Sequence, residues 1–154
     1  MRGIDELLAG HEVFAGLDPA TLALLSGCAS NVVIGADERL FAEGERADRF
    51  WIIRHGQVAL EINAPGAKMI IETLGAGSVV GWSWLVAPYQ WSFDAVAQEP
   101  TRAVVFDAGC LRAKMDTDPR LGYQLLSRFL PIVVDRLQAT RLRLLDLYGS
   151  ASPI

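Results

Sequence analysis

The chain has few of the residues that build metal centres or disulfide frameworks: two cysteines and two histidines among 154 residues. Cys28 and Cys110 stand far apart, and neither has a histidine at the short spacing that zinc sites use. We therefore expect no metal site. A single disulfide is uncommon in a cytoplasmic protein of this size, so the sequence predicts two buried free thiols.

Long apolar runs are also missing, and none approaches the roughly 18 residues that a membrane helix needs. The N-terminal stretch carries Asp5 and Glu6 where a signal peptide has basic residues, and no extended apolar segment follows it. These absences predict a cytoplasmic protein that has no membrane partner.

An excess of positive charge is absent as well, since 14 Lys and Arg residues stand against 18 Asp and Glu residues, and the net charge is −4. Nucleic-acid binding takes most of its affinity from a concentrated basic face that neutralises phosphates. The basic residues here are scattered, apart from Arg136, Arg141 and Arg143. We expect no nucleic-acid partner. The 51% hydrophobic and 21% charged residues are typical of one ordered domain, which we place at residues 1–154.

What the sequence does contain is a set of helix signals at both ends and short strands between them. Asp18-Pro19 is typical of a helix N-terminus, and Gly27 can end that helix. Residues 31–107 show short strand patterns separated by turn residues, with a hairpin turn at residues 64–67. The predicted fold is mainly β with flanking helices. It has N-terminal helices at about 4–27, a jelly roll (double-stranded β-helix) at about 31–107 and C-terminal helices at about 109–148.

The last part of the chain changes to a helical period. Apolar residues recur every three or four positions, as on one face of a long helix: Leu126, Leu130, Val133, Leu137, Leu144 and Tyr148. Pro131 lies inside this pattern and has no backbone N–H to donate. The sequence therefore predicts a shorter helix, a kink or break near Pro131, and a final helix at about 132–148.

Three short segments carry a family resemblance. They are residues 40–48, which include Gly44-Glu45-Arg46-Ala47-Asp48, residues 52–58 and residues 74–77. With the order of the elements, they resemble the cyclic nucleotide-binding domain of the catabolite activator (Crp/Fnr) superfamily over about residues 12–148. The resemblance implies a ligand cradle and a long helix that pairs with its twin in a dimer. Because the sequence ends at Ile154, we expect a free-standing form without the family's DNA-binding domain.

The cradle is where the sequence departs from the family. In the family, a Gly-Glu pair opens the cradle and an Arg-Ser pair closes it; the Glu binds the ribose and the Arg neutralises the cyclic phosphate. Here Gly81 and Ser92 match, whereas Trp82 and Trp91 replace the two charged residues. A hydrogen bond to a charged group contributes roughly 1.5–3 kcal/mol. Losing both contacts predicts that cyclic AMP binds about a thousandfold more weakly, or worse.

The candidate ligand pocket consists of this segment and one residue that the resemblance adds from the last helix: Gly81, Trp82, Ser83, Trp84, Leu85, Tyr89, Gln90, Trp91, Ser92 and Thr140. The aromatic faces could stack a nucleotide base or another planar ligand, form a hot spot for a protein partner, or fill the vacated pocket as core. The Gly-Trp-Ser-Trp-Leu run lacks the closing glycine of a nucleophile elbow, so we do not expect an enzyme.

These observations favour a non-catalytic regulatory or sensor module with a degenerate cyclic nucleotide pocket. One alternative is an accessory subunit that docks on a larger enzyme complex, for example a redox enzyme. Another is a cyclic AMP binder that uses a different arginine, such as Arg54 or Arg102, for the phosphate. We expect a homodimer through the last helix, with a seam formed by Val133, Leu137, Thr140, Arg141, Leu144 and Tyr148.

Overall fold

The computed structural model describes the backbone of residues 3–151 and the side chains of residues 3–147. Two short helices, α1 (Ile4–Gly10) and α2 (Pro19–Ser26), precede the strands. The Asp18 carboxylate accepts a hydrogen bond from the amide of Thr21 at 2.8 Å, and Pro19 occupies the first turn of α2. Gly27 follows the helix as its C-cap. The boundaries predicted for α2 are confirmed, because local capping chemistry determines them.

Eight antiparallel strands form two four-stranded sheets, as expected for a jelly roll. The strands are β1 (Ala29–Ile34), β2 (Arg39–Phe41), β3 (Arg49–His55), β4 (Val58–Ala64), β5 (Ala67–Leu74), β6 (Val79–Val80), β7 (Asp94–Ala97) and β8 (Thr101–Asp107). One sheet has the order β1-β8-β3-β6 and the other β2-β7-β4-β5. The predicted hairpin joins β4 to β5, and Gly66 adopts the positive φ of +85° that its turn requires.

The core lies between the two sheets and under the helices, and it is rich in stacked aromatic rings. Phe50 stands at its centre, stacked on Phe106 at 4.4 Å between ring centroids and on Trp84 at 4.9 Å. Phe129 meets the same cluster edge-on from the C-terminal helix, 5.1 Å from Phe50. This cluster joins the C-terminal helix to the β-roll, since each of its members is fully buried.

Two C-terminal helices follow the roll, α3 (Ala108–Thr117) and α4 (Pro119–Ala151). The predicted separate final helix from about residue 132 is wrong, since the 33-residue helix α4 runs through Pro131 without a break. A proline inside a helix costs about 3 kcal/mol. Phe129 and Ile132 pack against the core on either side of Pro131, and this burial offsets the cost of the proline. The Tyr148 side chain lies outside the described residues.

The two cysteines are joined by a disulfide, so the prediction of two free thiols is wrong. Cys28 follows the C-cap residue of α2, and Cys110 lies in the first turn of α3, with the two Cα atoms 5.8 Å apart. Strands β1 and β8 pair with Ala29 opposite Phe106, which brings the two cysteines together. The sequence does not reveal this proximity, because it arises from strand pairing in the folded protein and the two cysteines are far apart in the chain.

Candidate functional site

The cradle segment, residues 81–92, leaves β6, forms a 3-10 turn at Ser83–Leu85 and returns toward β7. Backbone hydrogen bonds fasten its second half to the loop at residues 44–47. The amide of Ala47 donates to the Tyr89 carbonyl at 2.7 Å, and the amide of Trp91 donates to the Glu45 carbonyl at 3.0 Å. The segment therefore has a defined conformation, although Pro88, Gln90 and Ser92 are exposed.

Trp91 is a core residue in this structure, with 4% of its surface exposed. Its ring stacks on Phe41 with 3.8 Å between centroids and an interplanar angle of 11°. The same indole covers Gly81, where an added Cβ would stand 2.6 Å and 2.8 Å from two ring carbons. Gly81 also has a φ of +97°. Both the close approach of the indole and the backbone conformation thus require glycine at this position.

Trp84 is buried completely on the inner side of the 3-10 turn. Phe129 of α4 meets its ring edge-on at 5.5 Å. Its indole N–H has no hydrogen-bond partner within the described part of the chain, which costs about 1–3 kcal/mol. The Trp84 carbonyl accepts a 2.7 Å hydrogen bond from Arg112 of α3. This residue therefore anchors the cradle segment to the core and to α3.

Trp82 behaves differently from the other two tryptophans, because it is half-buried and faces α4. The Arg136 guanidinium lies over its ring, 4.7 Å from the centroid, in a cation–π contact. Arg136 also donates to the Val79 carbonyl and lies 4.0 Å from the Glu72 carboxylate. Burial lowers the pKa of the Arg136 guanidinium, and Glu72 acts in the opposite direction. Its Nη1 has no partner among the described atoms.

Trp82 and Arg136 line a cavity of about 270 Å³ between α4 and the sheet that contains β4 and β5. Thr140 also lines it, and the Thr140 hydroxyl donates to the Arg136 carbonyl at 2.9 Å. The other lining residues are Leu60, Ile71, Glu72, Phe93, Val133 and Leu137. The cavity is largely apolar and has one residue of each charge, Arg136 and Glu72.

A larger and more open groove, of about 610 Å³, also reaches Arg136. His11 crosses one end of it, with Nε2 2.7 Å from the Gly77 carbonyl oxygen. Its charged lining residues are Glu12, Glu72 and Asp135 with Arg136. The acids outnumber the bases among these, so the groove does not favour an anionic ligand.

Of the ten candidate pocket residues, Trp82 and Thr140 share the 270 Å³ cavity, whereas Gly81, Trp84 and Trp91 are buried in the core. Ser83 and Leu85 are partly buried. Tyr89 is 37% exposed, and the Arg112 guanidinium lies over its ring, 4.8 Å from the centroid. Gln90 and Ser92 point toward solvent. The segment thus divides into a packed part, a cavity wall and an exposed loop.

Sequence reasoning missed Arg136 and Glu72 as members of the site. Arg136 precedes Thr140 by one helical turn, and residues at that spacing share a helix face. That signal was present in the sequence. Glu72 had no comparable signal, because only the fold brings β5 next to α4.

Asp94 follows the cradle segment and is 97% buried in the roll, with 3% of its surface exposed. The amide of Glu43 donates to its Oδ1 at 2.7 Å, and Asn63 donates to its Oδ2 at 3.3 Å. Arg39 lies 4.0 Å away. The Glu43 hydrogen bond is the main cause that lowers the pKa of Asp94, while burial opposes it. The carboxylate is occupied in holding the turn that contains Glu43.

Within residues 3–147, no cluster of three His, Cys, Asp or Glu side chains is arranged to hold a metal ion. The helices of the described chain also lack any stretch that is long and apolar enough to cross a membrane.

The sequence matches the family model of the cyclic nucleotide-binding domain over residues 31–118. The chain therefore belongs to the cyclic nucleotide-binding domain family, which confirms the resemblance inferred from the sequence. It is 30% identical over 151 residues to the CRP-like cAMP-activated global transcriptional regulator of Mycobacterium tuberculosis, covering 97% of this chain and 66% of the regulator. The chain thus spans about two thirds of the length of the curated relatives it matches.

Solved structures agree with this fold. A cyclic nucleotide-binding domain from Methylobacillus flagellatus superposes with a TM-score of 0.78 at 24% identity, covering 93% of this chain and 81% of that one. The catabolite activator protein of Thermus thermophilus superposes with a TM-score of 0.67 at 22% identity, covering 89% of this chain and 62% of that one. The mainly β fold with a long C-terminal helix is confirmed.

Proposed function

We propose that the chain is a non-catalytic, cytoplasmic regulatory module that does not bind cyclic nucleotides tightly. One observation carries this proposal: the Trp91 indole occupies the space against Gly81. A tryptophan buries about 150–250 Å², so moving it into water costs roughly 4–6 kcal/mol. A ligand that needed the Gly81 backbone would have to displace this ring and would lose about three to four orders of magnitude in affinity.

The charges near the cavity support the same conclusion. Arg54 hydrogen-bonds to Asn31 at 3.1 Å and is exposed, and neither Arg54 nor Arg102 lines the cavity. Arg136 is the single cationic residue among the described residues around it. This guanidinium already contacts Val79, Glu72 and Trp82. A cyclic phosphate would have to compete with those contacts.

Addition of cyclic AMP or cyclic GMP is therefore expected to leave the thermal unfolding temperature unchanged. A ligand present at 100 times its dissociation constant adds about 2.7 kcal/mol, which raises the unfolding temperature of a domain of this size by about 5–10 °C. Differential scanning fluorimetry detects such a shift easily. The absence of any shift up to millimolar nucleotide is the expected result.

A shift that saturates at micromolar cyclic AMP would contradict this proposal. If that shift is lost in Arg136→Gln and kept in Arg54→Gln, the protein is a cyclic nucleotide binder with Arg136 as its phosphate contact. The two variants remove the same charge, one inside the cavity wall and one on the exposed surface of β3.

We also propose that the module is a homodimer through α4. Exposed or half-exposed residues follow a heptad pattern along the helix, in steps of four and three: Leu126, Leu130, Val133, Leu137, Thr140 and Leu144. Leu130 is 62% exposed and Leu137 is 49% exposed. Such a stripe is typical of a two-stranded seam. Arg141 lies beside it, and Tyr148 would extend it by a further turn.

Leu137→Glu is expected to convert the dimer into a monomer, because it places a charge in the centre of an apolar seam. Leu142→Glu is the matched control, since Leu142 is 62% exposed on the side of α4 opposite the seam. Light scattering coupled to gel filtration should give twice the 16.8 kDa chain mass for the control and the chain mass for Leu137→Glu. A monomeric parent chain, or equal dissociation by both variants, would refute the seam.

A further inference from the structure

The disulfide between Cys28 and Cys110 connects the N-terminal helices to α3. It is one of several contacts that α3 and its N-cap residue, Asp107, make there. The Lys114 ammonium donates to the Leu24 carbonyl at 2.8 Å, and the amide of Asp107 donates to the Cys28 carbonyl at 2.8 Å. These hydrogen bonds would persist if the sulfur–sulfur bond were broken. The fold can therefore hold both cysteines close together in either redox state.

The two cysteine residues differ in exposure, and this difference favours attack at Cys110. Cys28 is 7% exposed, whereas Cys110 is only partly buried. An incoming thiolate reaches the Cys110 sulfur more easily, and Cys28 then leaves as the thiolate.

Helix α3 also contacts both functional parts of the module. Arg112 donates to the Trp84 carbonyl at 2.7 Å and lies over the Tyr89 ring, so it holds the cradle segment. The Met115 side chain lies against Gly122 of α4, where an added Cβ would stand 3.6 Å from the Cβ of Met115. Arg112 and Met115 therefore connect α3 to the cradle segment and to the base of α4.

We propose that Cys28–Cys110 is a reversible redox site whose state sets how firmly α3 holds the cradle segment and the base of α4. The co-reactant is a dithiol. One of its thiolates attacks the Cys110 sulfur and forms a mixed disulfide, while the bond to Cys28 breaks. The second thiol resolves the mixed disulfide. The protein gains two electrons and two protons, and the dithiol becomes a cyclic or intramolecular disulfide. Only the regulatory consequence rests on the proposed function.

Dithiothreitol serves as the dithiol, and hydrogen exchange of the purified full chain supplies the test. We expect complete reduction without unfolding, as followed by maleimide labelling and circular dichroism, and reoxidation when the reductant is removed. Amides in residues 108–112 and 84–89 should exchange about tenfold faster or more in the reduced protein. Amides of the β4–β5 hairpin that exchange through local opening, and so do not report the global loss of stability, are remote from the disulfide and should be unchanged.

The double variant Cys28→Ala/Cys110→Ala is the matched control and should exchange like the reduced protein, with or without dithiothreitol. Three results would overturn the proposal: reduction that occurs only together with unfolding, reduction that leaves exchange in residues 84–89 and 108–112 unchanged, or acceleration that is equal in the hairpin. The first would make the bond purely structural. None of these readouts depends on nucleotide binding or on the dimer, so failure of the redox proposal and failure of the proposed function can be distinguished.

Discussion

Trp91→Ala is expected to lower the free energy of unfolding by about 3–5 kcal/mol, the range for removal of a large buried aromatic side chain. The indole stacks on Phe41 and covers Gly81, and its loss leaves a cavity that the surrounding residues close only in part. Urea denaturation followed by circular dichroism measures the effect. The comparison should be made in the oxidised protein, so that the disulfide contributes equally to both chains.

Ser92→Ala is the control for Trp91→Ala, because it changes the next residue of the same segment on its exposed side. Its effect should stay within about 0.5 kcal/mol. Trp91→Phe keeps a flat ring and should lose less than the alanine variant. If Trp91→Ala leaves stability intact and instead abolishes the binding of a planar ligand, then the indole is a ligand contact and the packing interpretation is wrong.

Much of the fold was predictable because local chemistry determines it. The Asp18 cap, Pro19 and Gly27 define α2 without reference to the rest of the chain. The turn at residues 64–67 selects the β4–β5 hairpin in the same way. The helix through Pro131 was not predictable from local rules, because the burial of Phe129 and Ile132 outweighs the intrinsic cost of the proline.

The candidate site was predictable in place but not in detail. Trp82 and Trp84 are two residues apart on one 3-10 turn, yet one lines a cavity and the other is fully buried. Residue type cannot predict which tryptophan lines the cavity and which is buried, since both are aromatic and both stand in an apolar segment. The disulfide was hidden for a related reason. The pairing of β1 with β8 makes the two cysteines neighbours, and nothing in their spacing reveals that pairing.

Removal of the disulfide is expected to lower the free energy of unfolding by about 2–4 kcal/mol. The bond joins residues separated by 82 positions, so it closes a loop that contains the whole roll. In the chain-entropy model, closing a loop of this size removes conformational entropy from the unfolded state and stabilises the fold by roughly 4.5 kcal/mol. This figure is an upper value, because strain in the native state and residual structure in the unfolded state reduce the stabilisation. Urea denaturation of the parent chain with and without dithiothreitol measures the difference.

The Cys28→Ala/Cys110→Ala variant should match the reduced chain and show no response to dithiothreitol. Equal stability of the oxidised and reduced parent chains would contradict the prediction. A loss of 2–4 kcal/mol is compatible with a folded reduced state, because domains of this class are stable by about 5–15 kcal/mol. Two effects of reduction can be measured separately. The loss of global stability arises in the unfolded chain, whereas the release of α3 acts through the contacts of Arg112 and Met115 in the native state. A reduced protein that loses stability but keeps its exchange pattern around Trp84 therefore supports the entropic effect and rejects the redox switch.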